Sequence, residues 1–378
     1  MISCGEPSGD LYAASLAREL ERIAPGTAVA GFGGERLRAA GADLIGDFTG
    51  LSVTGLVEVA RLLPRTYALY RRMVAHARSW RPDVFVAVDF PDFNFRLASA
   101  VRKLGVPVVY YISPQLWAWR PGRMKTMKRI ADRVLVIFPF EAEIYAKAGV
   151  LAEWVGHPLL DDFPDAPDRR RARADLDLSE SPVVGLFPGS RANEVREILP
   201  GLAAAASLIR ERVPLVQFVV ARAPHLDDSL FAALGNVSQL GASIVTGRAD
   251  DVLAAADVAL VASGTITVQA ALHECPMVVV YRLSPVTYRL GKPFVRVSTY
   301  AMANLVAGRR VVPELIQEAF TPAAVAAEAV DILTNAARSA QMRADLRKVR
   351  GALGGPGASA RAARAVVEAA RSRAAPVR

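Results

Sequence analysis

Short apolar runs alternate with segments of helical period along most of the chain. Segments 11–23, 94–103 and 195–212 show helical period. Strands that alternate with helices predict parallel sheets covered by helices on both faces, which is an α/β fold. The runs rich in Val, Ile, Phe and Tyr, as is typical of buried strands, are 84–88, 106–111, 134–138, 183–187, 216–220, 242–245, 258–261 and 277–280.

A polar stretch at 161–182, which contains prolines and a dense run of Arg, interrupts this pattern and is typical of a linker. The interruption predicts two Rossmann-like, doubly wound domains, over 1–161 and 162–337, followed by a basic helical tail over 338–378. Thr321 and Pro322 predict a helix start, with Thr as the N-cap and Pro in the first position.

A chain of 378 residues is long enough for two domains, and its hydrophobic fraction of 52% indicates a folded protein. No apolar run approaches the roughly 18 residues of a membrane span, and the first residues lack the pattern of a secretory signal. Cys4 and Cys275 cannot form a disulfide framework. They are expected to be buried thiols of a protein in the reducing cytosol.

Positive charge is distributed unevenly. The net charge is +9, and residues 338–378 carry ten Lys or Arg against two Asp or Glu. A second basic cluster lies at 120–133. Such clusters suit nucleic acid, an anionic membrane or simply a solvated helix face, and because no aromatic RNA-binding motif accompanies them, nucleic acid is not predicted as a partner. Apolar residues beside Arg at 51–70 suit either a membrane-surface element or a core-facing helix.

Two motifs follow predicted strands of the N-terminal half, where ligands bind in doubly wound sheets. The first contains Glu6, Ser8 and Asp10, which suit a sugar or an anion; Ser8 or Asp10 could equally be a helix N-cap. The second begins with Asp89, which ends a strand and could act as a general base or form a loop hydrogen bond. Asp92 is expected to be an N-cap.

Two further motifs follow strands of the C-terminal half. Ser190 and Arg191 suit phosphate binding at a helix N-terminus, although Arg191 could instead pair with a local carboxylate. The turn formed by Ser263, Gly264 and Thr265 is a second candidate phosphate site. Two such sites in one domain suit a nucleotide-sugar, and the glycine fingerprint of dinucleotide binding is absent.

No metal or cofactor is predicted, because the four histidines are scattered and none has a second ligand at metal spacing. His157 is expected to stabilise the turn between the two domains.

Taken together, the motifs resemble the lipid-A-disaccharide synthase family and occur in that family's order. The most specific of them reads Ser-Pro-Gln-Leu-Trp-Ala-Trp at 113–119. The matching segments, which reach to about Pro322, are 5–10, 89–94, 111–119, 138–141, 155–158, 188–191, 262–265, 304–309 and 313–315.

The resemblance implies a GT-B fold, in which two Rossmann-like domains face a central cleft and the C-terminal domain binds the nucleotide-sugar. It implies an inverting hexosyltransferase that transfers 2,3-diacylglucosamine from its UDP-sugar to 2,3-diacylglucosamine 1-phosphate. The products would be a β(1→6)-linked lipid A disaccharide 1-phosphate and UDP, in lipopolysaccharide biosynthesis.

The resemblance also implies residue roles. Asp89 matches the family's proposed base, and Arg191 with the two helix N-termini would neutralise the leaving UDP without a metal. Asn304 falls in a motif expected to border the nucleotide. Gln269 stands where the family usually has Glu and where related enzymes bind ribose, so this position keeps hydrogen-bonding groups but loses a charge.

The resemblance also implies a cytoplasmic protein that is peripherally associated with the inner face of the inner membrane, with an anionic membrane surface as a partner. Whether the protein forms a homo-oligomer is left open. Another enzyme acting on UDP-amino-sugars is the nearest alternative, such as the peptidoglycan glucosaminyltransferase or a UDP-sugar 2-epimerase. A catalytically silent nucleotide-sugar or membrane-binding protein is the alternative from another class.

Overall fold

The structure is a computed structural model that describes residues 1–48, 56–116, 121–163, 168–234, 241–283 and 299–374. Contacts divide these residues into two compact units. The first unit comprises the described residues of 1–162 together with 353–374, and the second comprises those of 163–283 and 299–352.

The first unit contains a parallel sheet of seven strands in the order β3-β2-β1-β4-β5-β6-β7. The strands are β1 (Ile2–Cys4), β2 (Ala30–Gly33), β3 (Asp43–Asp47), β4 (Phe85–Val88), β5 (Val108–Tyr111), β6 (Arg133–Val136) and β7 (Ala152–Trp154). The described helices before the domain boundary are α1 (Pro7–Ile23), α2 (Glu35–Ala39), α3 (Leu56–Trp80), α4 (Pro91–Arg102), α5 (Met124–Ile130), α6 (Pro139–Lys147) and α7 (Leu159–Asp162).

The second unit contains a parallel sheet of six strands in the order β10-β9-β8-β11-β12-β13. The strands are β8 (Val183–Phe187), β9 (Gln217–Arg222), β10 (Ser243–Thr246), β11 (Val258–Ala262), β12 (Met277–Tyr281) and β13 (Glu314–Ile316). The described helices are α8 (Arg169–Asp175), α9 (Ala192–Arg212), α10 (Ala249–Ala255), α11 (Thr265–Leu272), α12 (Met302–Ala307), α13 (Pro322–Thr334) and α14 (Ala336–Ala352).

The central strands of both sheets are rich in β-branched residues and are buried on both faces, as β4, β8 and β11 show. The predicted α/β class and all eight predicted strands are therefore confirmed, with bounds shifted by up to two residues. Strand β1 lies where the motif at 5–10 requires a preceding strand, and four short strands, β2, β3, β7 and β13, were not predicted.

The stretch expected to be a linker, 161–182, contains helix α8, so its Arg-rich part is packed structure and not a linker; residues 164–167 lie outside the described residues. Asp168 caps the helix by accepting a hydrogen bond from the Arg171 backbone N–H (3.0 Å). Arg173 is buried and donates to the Asp257 carboxylate (2.8 Å) and to the Ala255 carbonyl oxygen (3.1 Å). Helix α8 therefore packs within the second unit through Ala172 and Arg173.

The basic segment 338–378 is shared between the units: α14 belongs to the second, and α15 (Ala358–Ala374) belongs to the first. Asp161 accepts backbone hydrogen bonds from Gly357, Ala358 and Ser359 (2.6–3.0 Å), which caps α15. Ala362, Ala363 and Val366 are buried, and α15 packs against α1. The domain boundaries expected from the sequence stay a prediction.

Candidate active site

In the first sheet, β2 and β3 lie on one side of β1, whereas β4 and the later strands lie on its other side. The order of the strands therefore reverses between β1 and β4. These strands are neighbours, with Cys4 beside Val88 at their carboxyl ends. The motif at 5–10 follows β1, and Asp89 follows β4, so the fold brings both motifs to one point of one sheet edge. Such a switch point is where doubly wound sheets bind ligands.

The backbone at Asp89 is held in an unusual conformation. Asp89 and Phe90 both have positive φ, 44° and 48°, which costs a non-glycine residue on the order of 1 kcal/mol or more. The Asp89 N–H donates to the Tyr111 carbonyl oxygen (3.2 Å). The Asp89 carbonyl oxygen accepts from the Tyr110 hydroxyl (2.7 Å) and from Asn94 Nδ2 (2.9 Å). Asp89 is half-buried, and hydrogen bonds of both its N–H and its carbonyl group hold its backbone in place.

Asn94 organises this edge, and the sequence motifs assigned it no role. Its side chain is fully buried. Nδ2 donates to the carbonyl oxygens of Ser3 (3.1 Å), Val88 (3.2 Å) and Asp89, while Oδ1 accepts from the Ser3 hydroxyl (2.6 Å). Asn94 thus joins the ends of β1 and β4. Because Ser3 is 91 residues away in sequence, only the position of Asn94 in a family motif could have indicated this link.

Aromatic rings surround the Asp89 turn. A Cβ atom on Gly5 would lie 2.3 Å from the Phe90 ring, so glycine at this position allows Phe90 to approach β1. Burial raises the pKa of the Tyr110 phenol well above its usual value, and the Asp89 charge raises it further. The Tyr110 hydroxyl consequently remains a hydrogen-bond donor to Asp89.

The three residues of the first motif have different environments. Glu6, and neither Ser8 nor Asp10, is the N-cap of α1, and Ser8 is half-buried in the first turn. Asp10 is buried, and its carboxylate accepts backbone hydrogen bonds from Gly34 (2.7 Å), Arg36 (3.0 Å) and Leu37 (3.2 Å). Asp10 therefore caps α2, which accounts for a carboxylate at this position.

Asp92 is not the N-cap of α4, as the sequence had suggested. Phe90 holds that position and Pro91 begins the helix, so Asp92 lies in its first turn. The Asp92 carboxylate pairs with the Arg123 guanidinium, which also lies over the Phe95 ring, 5.7 Å from its centroid.

The second sheet has its switch point between β8 and β11, which are also neighbours. The turn with Ser190 and Arg191 follows β8, and the turn with Ser263, Gly264 and Thr265 follows β11. The fold therefore brings the two candidate phosphate sites to one point of this edge.

A carboxylate of the chain occupies the first of these sites. Glu194 Oε2 accepts from the backbone N–H groups of Ser190 (3.2 Å) and Arg191 (3.3 Å), and Glu194 Oε1 pairs with Arg191 Nη1 (3.0 Å). Gly189, with φ 118°, leaves room for it, because a Cβ atom there would lie 2.6 Å from Glu194 Oε2. These donors therefore converge on an anion, the Glu194 carboxylate. The ion pair with a local carboxylate, which the sequence left open for Arg191, is present.

The second turn is more open. The Ser263 hydroxyl donates to the Tyr300 carbonyl oxygen (3.1 Å). Gly264 is the exposed N-cap of α11, and Thr265 is the exposed first residue. One turn further, Gln269 Nε2 donates to Asp250 Oδ1 (3.1 Å).

Asn304 is buried among protein partners. Its Oδ1 accepts from the backbone N–H groups of Val311 (2.7 Å) and Val312 (3.0 Å), and its Nδ2 donates to Glu314 (2.7 Å) and to the Val312 carbonyl oxygen (3.0 Å). Glu314 in turn accepts from the backbone N–H groups of Tyr300 and Ala301, each at 3.0 Å. Asn304 therefore supports the segment that accepts the Ser263 hydrogen bond.

The two cysteines and His157 are the remaining residues that the sequence analysis singled out, and all three are buried. Cys4 and Cys275 are both buried, as predicted. Burial lowers the pKa of His157 to about 3, and the nearby Asp161 offsets part of this shift. Across the described ranges, no group of three His, Cys, Asp or Glu side chains could hold a metal ion. The search for membrane-spanning helices among the same residues finds none.

Two parallel sheets with helices, each carrying candidate ligand-binding turns at its switch point, form the architecture of the GT-B fold. The glycosyltransferase of kitacinnamycin has the same fold (TM-score 0.64, 18% identity, 98% of each chain covered), as has the calicheamicin glycosyltransferase (TM-score 0.60, 18% identity, 99% of this chain and 98% of that one covered). A UDP-GlcNAc 2-epimerase from Neisseria meningitidis, solved with UDP-GlcNAc, is similar too (TM-score 0.62, 10% identity, 98% and 99% covered). At these identities the similarity concerns the fold alone.

The sequence comparisons are more specific. The family model of lipid-A-disaccharide synthetase matches residues 1–369. The lipid-A-disaccharide synthase of Myxococcus xanthus is 42% identical over 369 residues (97% of this chain, 96% of that protein), and that of Alkalilimnicola ehrlichii is 44% identical over 377 residues (98% of each). The chain belongs to the lipid-A-disaccharide synthase family, which confirms the resemblance, and it is a glycosyltransferase of lipid A disaccharide synthesis.

Proposed function

We propose that the protein transfers 2,3-diacylglucosamine from UDP-2,3-diacylglucosamine to the 6-hydroxyl of 2,3-diacylglucosamine 1-phosphate with inversion. The products are the β(1→6)-linked disaccharide 1-phosphate and UDP. Family membership supports the reaction class. The observation that carries the mechanism is Asp89, a carboxylate residue at the switch point of the first sheet whose backbone is held by hydrogen bonds on both sides.

Inversion requires a single displacement. The acceptor O6 forms a bond to the anomeric carbon of the donor while the bond from that carbon to the UDP oxygen breaks. The proton of the 6-hydroxyl passes to the Asp89 carboxylate, which acts as general base. The fixed backbone and the surrounding aromatic rings favour a defined position for this carboxylate.

The leaving UDP carries the negative charge that develops during the displacement. The Arg191 guanidinium and the backbone N–H groups at the start of α9 already converge on an anion, the Glu194 carboxylate. We propose that the diphosphate competes with Glu194 for these donors, and that the N-terminus of α11 at Gly264 and Thr265 contributes further stabilisation. Ser263 and Asn304 support this turn through Tyr300 and Glu314. Glu6 and Ser8 remain candidates on the acceptor side.

Both sugar substrates carry acyl chains, so access to them favours a peripheral position at the cytoplasmic face of the inner membrane. Leu63 and Tyr67 lie one turn apart on α3 and are 57% and 63% exposed, next to the exposed Arg65 and Arg71. Exposed apolar residues flanked by cations suit an anionic membrane surface. Leu69 and Met73 of the same helix are buried, so α3 also serves the core. Residues 51–55 of this predicted element lie outside the described residues.

A transfer assay tests the proposal. Purified full-length protein receives both proposed substrates in detergent, with and without a chelator, and disaccharide 1-phosphate and UDP are quantified by mass spectrometry. We expect equal amounts of the two products, with β configuration at the new linkage, under both conditions. Bound UDP without product would favour a silent nucleotide-sugar binder, and an α linkage would contradict inversion. Product formed only without chelator would contradict a reaction that needs no metal.

A further inference from the structure

Asp250, which belongs to none of the sequence motifs, forms a side-chain cluster with Gln269 and His273 at the carboxyl edge of the second sheet. It lies in the first turn of α10, which follows β10. Its Oδ1 atom accepts a hydrogen bond from Gln269 Nε2 (3.1 Å) and lies 3.2 Å from His273 Nε2. Gln269 of α11 and His273, which follows the last residue of α11, therefore orient the Asp250 carboxylate.

The position of this carboxylate relative to α11 indicates what it could bind. Thr265, Gln269 and His273 follow one another at intervals of four, so they share one side of the helix. Thr265 begins α11, where a phosphate would bind. Gln269, and with it Asp250, lies one turn further along, at a rise of about 5.4 Å. In a nucleotide whose phosphate binds at Thr265, the ribose hydroxyls would therefore lie near Gln269 and Asp250.

The two oxygens of Asp250 have different surroundings. An ionised carboxylate offers about four acceptor positions, two on each oxygen. Gln269 and His273 use those of Oδ1, whereas Oδ2 has no hydrogen-bond partner within the described part of the chain. The Asp250 side chain is 44% exposed and that of His273 is 4% exposed, so the supporting side is buried and the other is accessible to a ligand.

We propose that Asp250 binds the vicinal 2′- and 3′-hydroxyls of the nucleotide ribose through Oδ2, while Gln269 and His273 position it. This inference rests on the proposed use of a UDP-sugar donor. A carboxylate on the ribose hydroxyls is a recurrent device of nucleotide-binding α/β folds, and charge-assisted hydrogen bonds are stronger than neutral ones. Asp250 then supplies the negative charge that the Gln269 amide lacks.

Calorimetric titration of the full-length chain with UDP and with 2′,3′-dideoxy-UDP tests this role. We expect wild-type protein to bind UDP roughly tenfold or more tighter than the dideoxy compound. Asp250→Asn should weaken UDP binding by a similar factor, leave dideoxy-UDP binding nearly unchanged and so abolish the discrimination. Asp251→Asn is the matched control, because it removes the same charge from the same helix and Asp251 pairs with Arg248 (2.7 Å); it should bind both nucleotides as wild type does.

Two results would overturn the inference: full discrimination in Asp250→Asn, or an equal loss of affinity for both nucleotides, which would indicate a merely structural role. Should Asp250→Asn fail to fold, Asp250→Ser gives the same comparison. Wild-type protein that binds neither nucleotide would contradict the proposed donor itself. UDP binding without hydroxyl discrimination would contradict only the role of Asp250.

Discussion

Asn94 Nδ2 donates a hydrogen bond to the backbone carbonyl oxygen of Asp89 across 2.9 Å. The same amide group bonds to Ser3 and Val88, so one buried side chain holds the ends of β1 and β4 together at the Asp89 turn. The left-handed conformations of Asp89 and Phe90 persist because such contacts outweigh their strain.

Removing this amide should reduce activity through Asp89. We expect Asn94→Ala to lower kcat by about tenfold or more, since a catalytic group that loses its fixed position loses rate. It should also destabilise the protein by about 1–3 kcal/mol, because buried backbone carbonyls lose their partner. Rates and thermal unfolding of the single variants and of Asn94→Ala with Asp89→Asn measure both effects. A positioning role requires the double variant to be no slower than Asp89→Asn alone; two independent, multiplied losses would refute it.

Asp89→Asn should strongly reduce turnover while UDP still binds. Asn adopts the left-handed region about as readily as Asp, so the turn is preserved, but the amide cannot accept the hydroxyl proton. We expect kcat to fall by about 10²–10⁴, the usual range for general base catalysis. Asp92→Asn is the control, since it removes a neighbouring carboxylate that pairs with Arg123 and should retain most of the activity. Near-normal turnover in Asp89→Asn would exclude Asp89 as the base.

Arg191→Ala should weaken UDP binding by about tenfold or more, because a charge-assisted hydrogen bond to phosphate contributes roughly 1.5–3 kcal/mol. Glu194→Gln should have the opposite effect on UDP affinity, since it removes the competing negative charge from the same backbone donors. Calorimetric titration with UDP measures both variants. Arg196→Ala, an exposed Arg of the same helix, is the control. Unchanged affinity in Arg191→Ala would contradict a phosphate-binding role.

The alternation of apolar runs predicted the central strands well, because Val183–Phe187 and similar segments are buried on both faces and their period is unambiguous. It could not find β2, which reads Ala-Gly-Phe-Gly, or β3, which is partly exposed. Those strands form because their neighbours offer a sheet edge, so tertiary pairing outweighs weak local preference.

For the candidate site residues, too, the sequence predicted some features and missed others. Strand-end positions for Asp89, Arg191 and Ser263 follow from local patterns, and the sheet order then brings them to the two switch points. What each side chain bonds to could not be predicted: Asp10 caps a helix 25 residues away, and Asn304 is satisfied by Val311, Val312 and Glu314. These partners are determined by tertiary packing and leave no signal in local sequence.

The basic C-terminal helix permits a membrane test that leaves the fold intact. Deleting α15 would expose the α1 surface it covers, so charge removal is the cleaner change. Arg364 and Arg371 are exposed, and Arg364→Gln with Arg371→Gln should weaken binding to anionic vesicles by about 1 kcal/mol per charge at low salt. Vesicle co-sedimentation with and without anionic lipid measures the effect, and thermal unfolding should be unchanged. Equal binding by variant and wild type would reject a membrane contact of this helix.

His157 should make the stability of the protein depend on pH. Its imidazole is buried against Tyr12 and Phe138, and its Nδ1 accepts from the Leu159 backbone N–H (3.3 Å). The folded-state pKa of about 3 lies below the usual 6.5. A lowered pKa means that the unfolded chain binds the proton first, so this contribution is complete above pH 6.5 and is lost as the pH falls toward 3.

Within that window the free energy of unfolding should fall by up to roughly 1.4 kcal/mol per pH unit from this group alone. Chemical denaturation at pH 7, 6 and 5 of wild type and His157→Asn measures the difference. Asn removes the titration, so the variant should be less stable at pH 7 but lose less stability on acidification. The exposed His225 provides the control His225→Asn, which should follow the wild-type slope. Parallel slopes for His157→Asn and wild type would show that burial of His157 does not govern this dependence.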